Sequence, residues 1–287
     1  MRVGVFRDAA GRGMAIVDAN GVHRGLHETE AGYPGGIEAL IGLDTAGLAA
    51  VAATLTAGGP IDPGAVEWLP PLARPGKIVC VGLNYADHTA ESGLEQPDYP
   101  TLFARFSTTL VGHGAPVVRP RVSEQFDYEG ELVAIIGRGG RHIPRDTALD
   151  HVFGWSIFND VSVRDYQFKS PQWTMGKNFD ATGAFGPLVV TADELPPGGR
   201  GLMLETRLNG TVVQHASTDD LIFDVASLIA VISEGITLEP GDLIVTGTPS
   251  GVGAARKPPL WMKAGDLCEV EIEGLGILAN RVVDEGA

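Results

Sequence analysis

The chain is poor in several things, and each shortage excludes something. It has two cysteines in 287 residues, Cys80 and Cys268, far apart and each inside an apolar run. That excludes a disulfide framework and fits buried, reduced thiols of a cytoplasmic protein. Basic residues are outnumbered, 21 Lys and Arg against 36 Asp and Glu, for a net charge of −15. No basic patch stands out, so a nucleic-acid partner is not expected. If the substrate is an anion, local positive charge or a metal has to attract it. Long hydrophobic runs are missing too. No stretch approaches the length of a bilayer span, and "MRVGVFRDAAGRGMAIVD" carries charges throughout instead of the apolar centre of a signal peptide. We therefore expect no membrane partner. The histidines form no ligand-spaced pair with a cysteine, which argues against zinc.

What is present reads as a strand-rich globular protein. "RVGVF" and "GMAIVD" are short strand-like runs, and "GIEALIGLDTAGLAAVAATLTAG" is rich enough in Ala and Leu for one or two helices. Five prolines then fall between Pro60 and Pro75. They mark the best linker candidate, so we expect a small α/β domain over residues 1–70 and a larger one over 71–287. Beyond the linker, "KIVCVGL", "ELVAIIG", "VFGWSIFNDV", "DLIVTG" and "CEVEIEG" are apolar or alternating runs bounded by Gly, Asp and Pro. Asn209-Gly210 is the strongest hairpin signal, because both central residues of a type I′ turn need positive φ. Val225, Leu228, Ile229, Ile232 and Ile236 mark one face of a helix. The expected class is mostly β (α+β).

The chemistry centres on "FDYEGELVAIIG". Glu129 and Glu131 stand two apart at the mouth of a buried strand, so their side chains share a face. Either the strand begins at the surface and both are solvated, or a hard divalent cation holds them. "WSIFNDVSVRDYQ" brings Asp160 to the end of another apolar strand, as a helix N-cap or as the third ligand. Arg164 and Gln167 follow at three-residue spacing on the same helix, either exposed or steadying a carboxylate or the substrate. His88 and Glu91 are spaced to meet on a helix, as a solvated face or as a dyad that deprotonates water. Lys177 lies in a Gly-rich loop between Met175 and Phe179, either solvated or facing an anionic oxygen. "VTGTPSGVG" is similar to a phosphate-cradling loop without its lysine, where backbone N–H groups and Thr248 could bind a carboxylate.

Taken in order, "VGLNYADHTAE", "PTLFARFSTTLVG", "FDYEGELVAIIG", "FNDVSVRDYQ", "GKNFDATGAFGP", "TRLNGTVVQ" and "TGTPSGVG" resemble the fumarylacetoacetate hydrolase family from about Gly76 to Val283. That resemblance implies a roll of mixed β-sheets, a homodimer, and Mg²⁺ or Mn²⁺ in the site. It implies Glu129, Glu131 and Asp160 as metal ligands, His88 and Glu91 as the water-activating dyad, Lys177 as the active-site lysine and Thr248 as a substrate contact. Arg164 and Gln167 match positions flanking the substrate. The implied reaction is hydrolytic C–C cleavage of a 1,3-diketo acid, an acylpyruvate or a 2,4-diketo-3-deoxy sugar acid, releasing pyruvate. Oxaloacetate decarboxylation, hydroxymuconate-type isomerisation and keto-sugar-acid dehydration share its enolate and are the alternatives. One position departs: where many members carry Phe-x-Lys-Pro, this chain reads "FARF", with Arg105 in place of the lysine. "TLFARF" alternates, so Phe103 and Arg105 share a face, and Arg105 is expected to anchor the far end of the substrate.

Overall fold

The structure is a computed structural model that describes residues 1–87 and 98–286. Its centre is the antiparallel pair Gly130–Ile136 and Val152–Asp160, with Glu131 opposite Phe158 and Val133 opposite Ser156. Every residue of both strands is buried. The reason is a core on each side. Leu132, Ala134 and Ile136 pack into one core, while Val133 and Ile135 pack into the other. With period-two side chains and both faces covered, such a strand reads as a continuous apolar run.

Around this pair a mixed sheet extends both ways, with twelve strands among the described residues. On one side Gly183–Thr191 joins, and Arg2–Asp8, Gly11–Val17 and His23–His27 follow it, so the first segment adds its strands to the same sheet. On the other side come Leu243–Val245, Ile78–Gly82 and Thr101–Arg105. A second, five-stranded sheet built on Met203–Leu208, Thr211–Ser217, Leu267–Ile272, Gly276–Asp284 and Val117–Arg119 packs on one face. The fold is mostly β, as expected.

Local signals are realised where their physics is local. Asn209 and Gly210 have φ of 52° and 77° and close the hairpin between Leu208 and Thr211. The Thr45–Ala57 helix is capped by Asp44, whose carboxylate accepts the Gly47 N–H at 2.8 Å. The Val225–Gly235 helix buries Val225, Leu228, Ile229 and Ile232, but Ile236 lies past its end and is 43% exposed. Both cysteines are free and buried. Among the described residues, no helix is long and apolar enough to cross a membrane.

Candidate active site

The register of the central pair assembles the site. The Asp160 N–H donates to the Glu129 carbonyl at 2.8 Å, so the ends of the two strands bring Glu129, Glu131 and Asp160 together. One carboxylate oxygen from each lies within 4.8 Å of the others, and all three residues are buried. Asp160 is the last residue of its strand, and the short helix begins only at Arg164, so Asp160 is not an N-cap.

Three cations close around these carboxylates. The Lys177 ammonium sits between Glu129 Oε2 at 2.5 Å and Asp160 Oδ2 at 2.7 Å, and it is 2% exposed. Burial works against its charge, but Asp160 and Glu129 hold its pKa above the ordinary lysine value. Arg164 pairs with Glu129 at 2.7 Å and with Asp127 at 2.8 Å, and it donates to the Gln167 side-chain oxygen at 2.9 Å. Gln167 therefore keeps its amide NH₂ as the group to offer at the cavity it lines.

Arg105 lies elsewhere than expected. Its guanidinium pairs with Asp160 Oδ1 and donates to Thr182 at 2.7 Å and to the Val161 carbonyl at 3.2 Å. Its side chain is fully buried behind Asp160 and does not line the cavity. Its fork is satisfied by the protein, so it is a support for Asp160 and not an anchor for the far end of a substrate.

Glu131 is the carboxylate without a cation of its own among these pairs; the Gly247 N–H donates to it at 2.5 Å. Burial, and then the charges of Asp160 and Glu129, push its carboxyl well above the ordinary value. A buried trio of oxygen donors with one carboxyl forced toward neutrality is what a hard divalent cation would relieve, and the residues fit one.

The "VTGTPSGVG" loop turns its N–H groups inward. Gly247 serves Glu131, while Gly253 and Ala254 donate to Asp127 at 2.7 and 3.0 Å. These donors bind the protein's own carboxylates, so the loop is not a phosphate cradle. Thr248 lines the cavity, but it accepts from Gln214 at 2.8 Å and donates to the Gly130 carbonyl at 3.0 Å. Its O–H is thus already engaged, and a substrate carboxylate finds only the hydroxyl's acceptor side. Asp127, buried at the junction of Arg164 and this loop, was missed in the sequence. Its signal was there: it continues the period-two series of Glu129 and Glu131. His88 and Glu91 lie outside the described residues.

The site opens into a cavity of about 420 Å³. Glu129, Glu131, Arg164, Gln167, Lys177 and Thr248 are its polar lining, Val81, Phe103, Phe168, Trp173 and Val252 its larger apolar lining, and the Lys177 ammonium lies 5.0 Å from the centre of the Phe103 ring. Phe103 and Trp173 meet edge to face at 5.5 Å.

A family model for the carboxy-terminal domain of fumarylacetoacetate hydrolase matches residues 77–283. A human mitochondrial oxaloacetate tautomerase is 43% identical over 220 residues, 76% of this chain and 70% of the relative. An uncharacterised protein of Archaeoglobus fulgidus is 44% identical over 76% of this chain and 83% of its own length. Among solved structures, a fumarylacetoacetate hydrolase from Exiguobacterium antarcticum superposes with a TM-score of 0.85 at 35% identity, over 99% of this chain and 100% of that one. A 5-carboxymethyl-2-hydroxymuconate delta-isomerase from Mycobacterium smegmatis gives a TM-score of 0.78 at 31% identity, over the full length of both.

Proposed function

The chain belongs to the fumarylacetoacetate hydrolase family, and from that premise we propose that it is a divalent-cation-dependent hydrolase of 1,3-diketo acids, releasing pyruvate and a carboxylic acid. The observation that carries the reading is the buried Glu129, Glu131 and Asp160 trio, which meets Lys177 at the wall of a cavity of substrate size. We assign Mg²⁺ or Mn²⁺ to the trio. When bound, such a cation supplies positive charge to the two oxygens of a 2-keto acid.

The chain's own groups do the rest. Water adds to the distal carbonyl after giving a proton to His88, which Glu91 steadies. The bond between the distal carbonyl carbon and C3 then breaks, its electron pair goes to the keto-acid half, and protonation there yields pyruvate. Lys177 uses two N–H groups on Glu129 and Asp160 and has a third to offer the oxygen that gains negative charge. Asp127 and Arg164 keep Glu129 and the loop wall in place, so the geometry exists before the substrate arrives.

Keto–enol tautomerisation of oxaloacetate is the second reading. The name of the human relative favours it, and it needs only proton transfers in the same cavity. The test measures pyruvate released from 2,4-dioxopentanoate, and decay of the oxaloacetate enol band, each with Mg²⁺ and with chelator. Mg²⁺-dependent pyruvate release is expected. Accelerated enol decay, with no pyruvate from any diketo acid, moves the assignment to the second reading.

A further inference from the structure

We propose that Arg105 is a positioning residue for the cation site: it holds one oxygen of Asp160, leaves the other for the ion, and so favours Mg²⁺ or Mn²⁺ over Ca²⁺. The inference rests on the cation reading above and deepens it. Arg105 ends the Thr101–Arg105 strand, and its side chain is fully buried. The guanidinium plane is fixed from several sides. Nη1 pairs with Asp160 Oδ1 and donates to the Val161 carbonyl at 3.2 Å. Nη2 donates to Thr182 Oγ1 at 2.7 Å, and Nε to Thr109 Oγ1 at 3.4 Å. Thr182 and Thr109 donate their own protons to the Phe179 and Phe106 carbonyls, at 2.6 and 2.8 Å, so each turns a lone pair to Arg105. The guanidinium carbon lies 5.6 Å from the centre of the Phe158 ring. A Cβ at Gly183 would come within 2.9 Å of Thr109 Oγ1 and 3.3 Å of Arg105 Nε, so the glycine leaves room for the fork. A lysine, a point charge on a flexible stem, could not be held in this way.

The consequence is a division of the carboxylate oxygens. Asp160 gives Oδ1 to Arg105 and Oδ2 to Lys177, the latter at 2.7 Å. Glu129 is divided alike, with Oε1 on Arg164 at 2.7 Å and Oε2 on Lys177 at 2.5 Å. In each, a guanidinium holds one oxygen, and the other faces the ammonium that the two carboxylates share. An ion taken by both oxygens of Asp160 would sit nearer Arg105 than one taken by Oδ2 alone. The two positive charges would then repel, and burial strengthens that repulsion. Ca²⁺ takes more oxygens than Mg²⁺ and often both of one carboxylate, whereas Mg²⁺ and Mn²⁺ favour an octahedron. Arg105 therefore acts most strongly against the larger ion.

The test titrates the full chain with Mg²⁺ and, separately, with Ca²⁺ in a calorimeter, without substrate. Wild type is compared with Arg105→Lys, which keeps the charge and loses the fork, and with Thr182→Val, which keeps the Asp160 pair and loosens the fork. Urea unfolding in chelator shows whether each variant is folded. Arg105→Lys is expected to lose about tenfold or more in Mg²⁺ affinity, the usual size of an effect exerted through a metal ligand. Its Ca²⁺ affinity should fall less, so the ratio of the two moves toward Ca²⁺. Thr182→Val should move the ratio the same way by a smaller factor. A merely structural role would weaken both ions alike, and an unchanged ratio in Arg105→Lys overturns the inference while leaving the cation reading intact. If Arg105→Lys is unfolded or binds neither ion, Thr182→Val decides, and an unchanged ratio there overturns it equally. If the wild type binds neither ion, the cation reading falls and takes this inference with it.

Discussion

One Glu-x-Glu pair stands within a strand of this protein and another at the start of one, and they have opposite fates. Glu269 and Glu271 lie on Leu267–Ile272, facing Arg207 and Glu205 across the register. Arg207 pairs with Glu205 at 2.7 Å and Glu271 at 2.8 Å, and the Glu271 side chain is 46% exposed. Glu129 and Glu131 also have cations and a third carboxylate beside them, yet they are buried. On the second sheet, water and counterions absorb the surplus negative charge, and each pair is worth little. In the site the two glutamates are buried, so their charges depend on other buried charges for compensation. Glu131, the unmatched one, is driven toward its neutral form. The same Glu-x-Glu pattern is an exposed ion-pair surface on one sheet and part of a buried carboxylate cluster that could hold a cation on the other.

The largest expected contrast comes from removing one glutamate from each pair. Glu131→Gln should lower activity by more than about a hundredfold and abolish Mg²⁺ binding in a calorimetric titration. Glu271→Gln should leave both within about twofold. Unchanged Mg²⁺ affinity in Glu131→Gln would remove the cation from this site and the distinction with it.

A smaller contrast concerns the cations. Lys177→Met leaves Glu129 and Asp160 facing each other without their shared ammonium, and should cost about 3–5 kcal/mol of stability in chelator. Arg207→Met, in its wetter setting, should cost about 1 kcal/mol or less. Urea unfolding of the two variants beside the wild type measures both. Equal losses would mean that burial does not separate the clusters.

The smallest effect is a slope. The folded Glu131 carboxyl lies above its ordinary value of 4.5, and the unfolded one does not. Below that value both states hold the proton and nothing changes. As pH rises, the unfolded state gives up its proton first, so stability falls until the folded carboxyl ionises as well. In chelator, wild-type stability should therefore decline with rising pH above about 4.5 relative to Glu131→Gln, while Glu271→Gln tracks the wild type. Parallel curves for wild type and Glu131→Gln would remove burial and the neighbouring charges of Asp160 and Glu129 as a source of pH dependence.

The two pairs also show how far the sequence could be read. "CEVEIEG" alternates, which announces a strand with one wet face, whereas "EGELVAIIG" runs apolar after its glutamates, which announces a strand covered on both sides. That difference was legible, and with it the convergence of Glu129, Glu131 and Asp160. The type I′ turn at Asn209-Gly210 was equally plain, because it depends on two adjacent residues. Arg105 was misread, since alternation along "TLFARF" gives its face but not what covers that face.

The sequence by itself determined the mostly β class, the strands and their buried faces, the tight turns and the three carboxylates, because these follow from side-chain period and local backbone sterics. Only the tertiary structure decided which donors meet which acceptors. It sent the Arg105 guanidinium to Asp160, engaged the Thr248 hydroxyl with Gly130 and Gln214, and aimed the Gly253 and Ala254 N–H groups at Asp127. Those partners lie tens of residues away in the chain, and burial forces each polar group to choose among whatever the fold brings near, which no local pattern records.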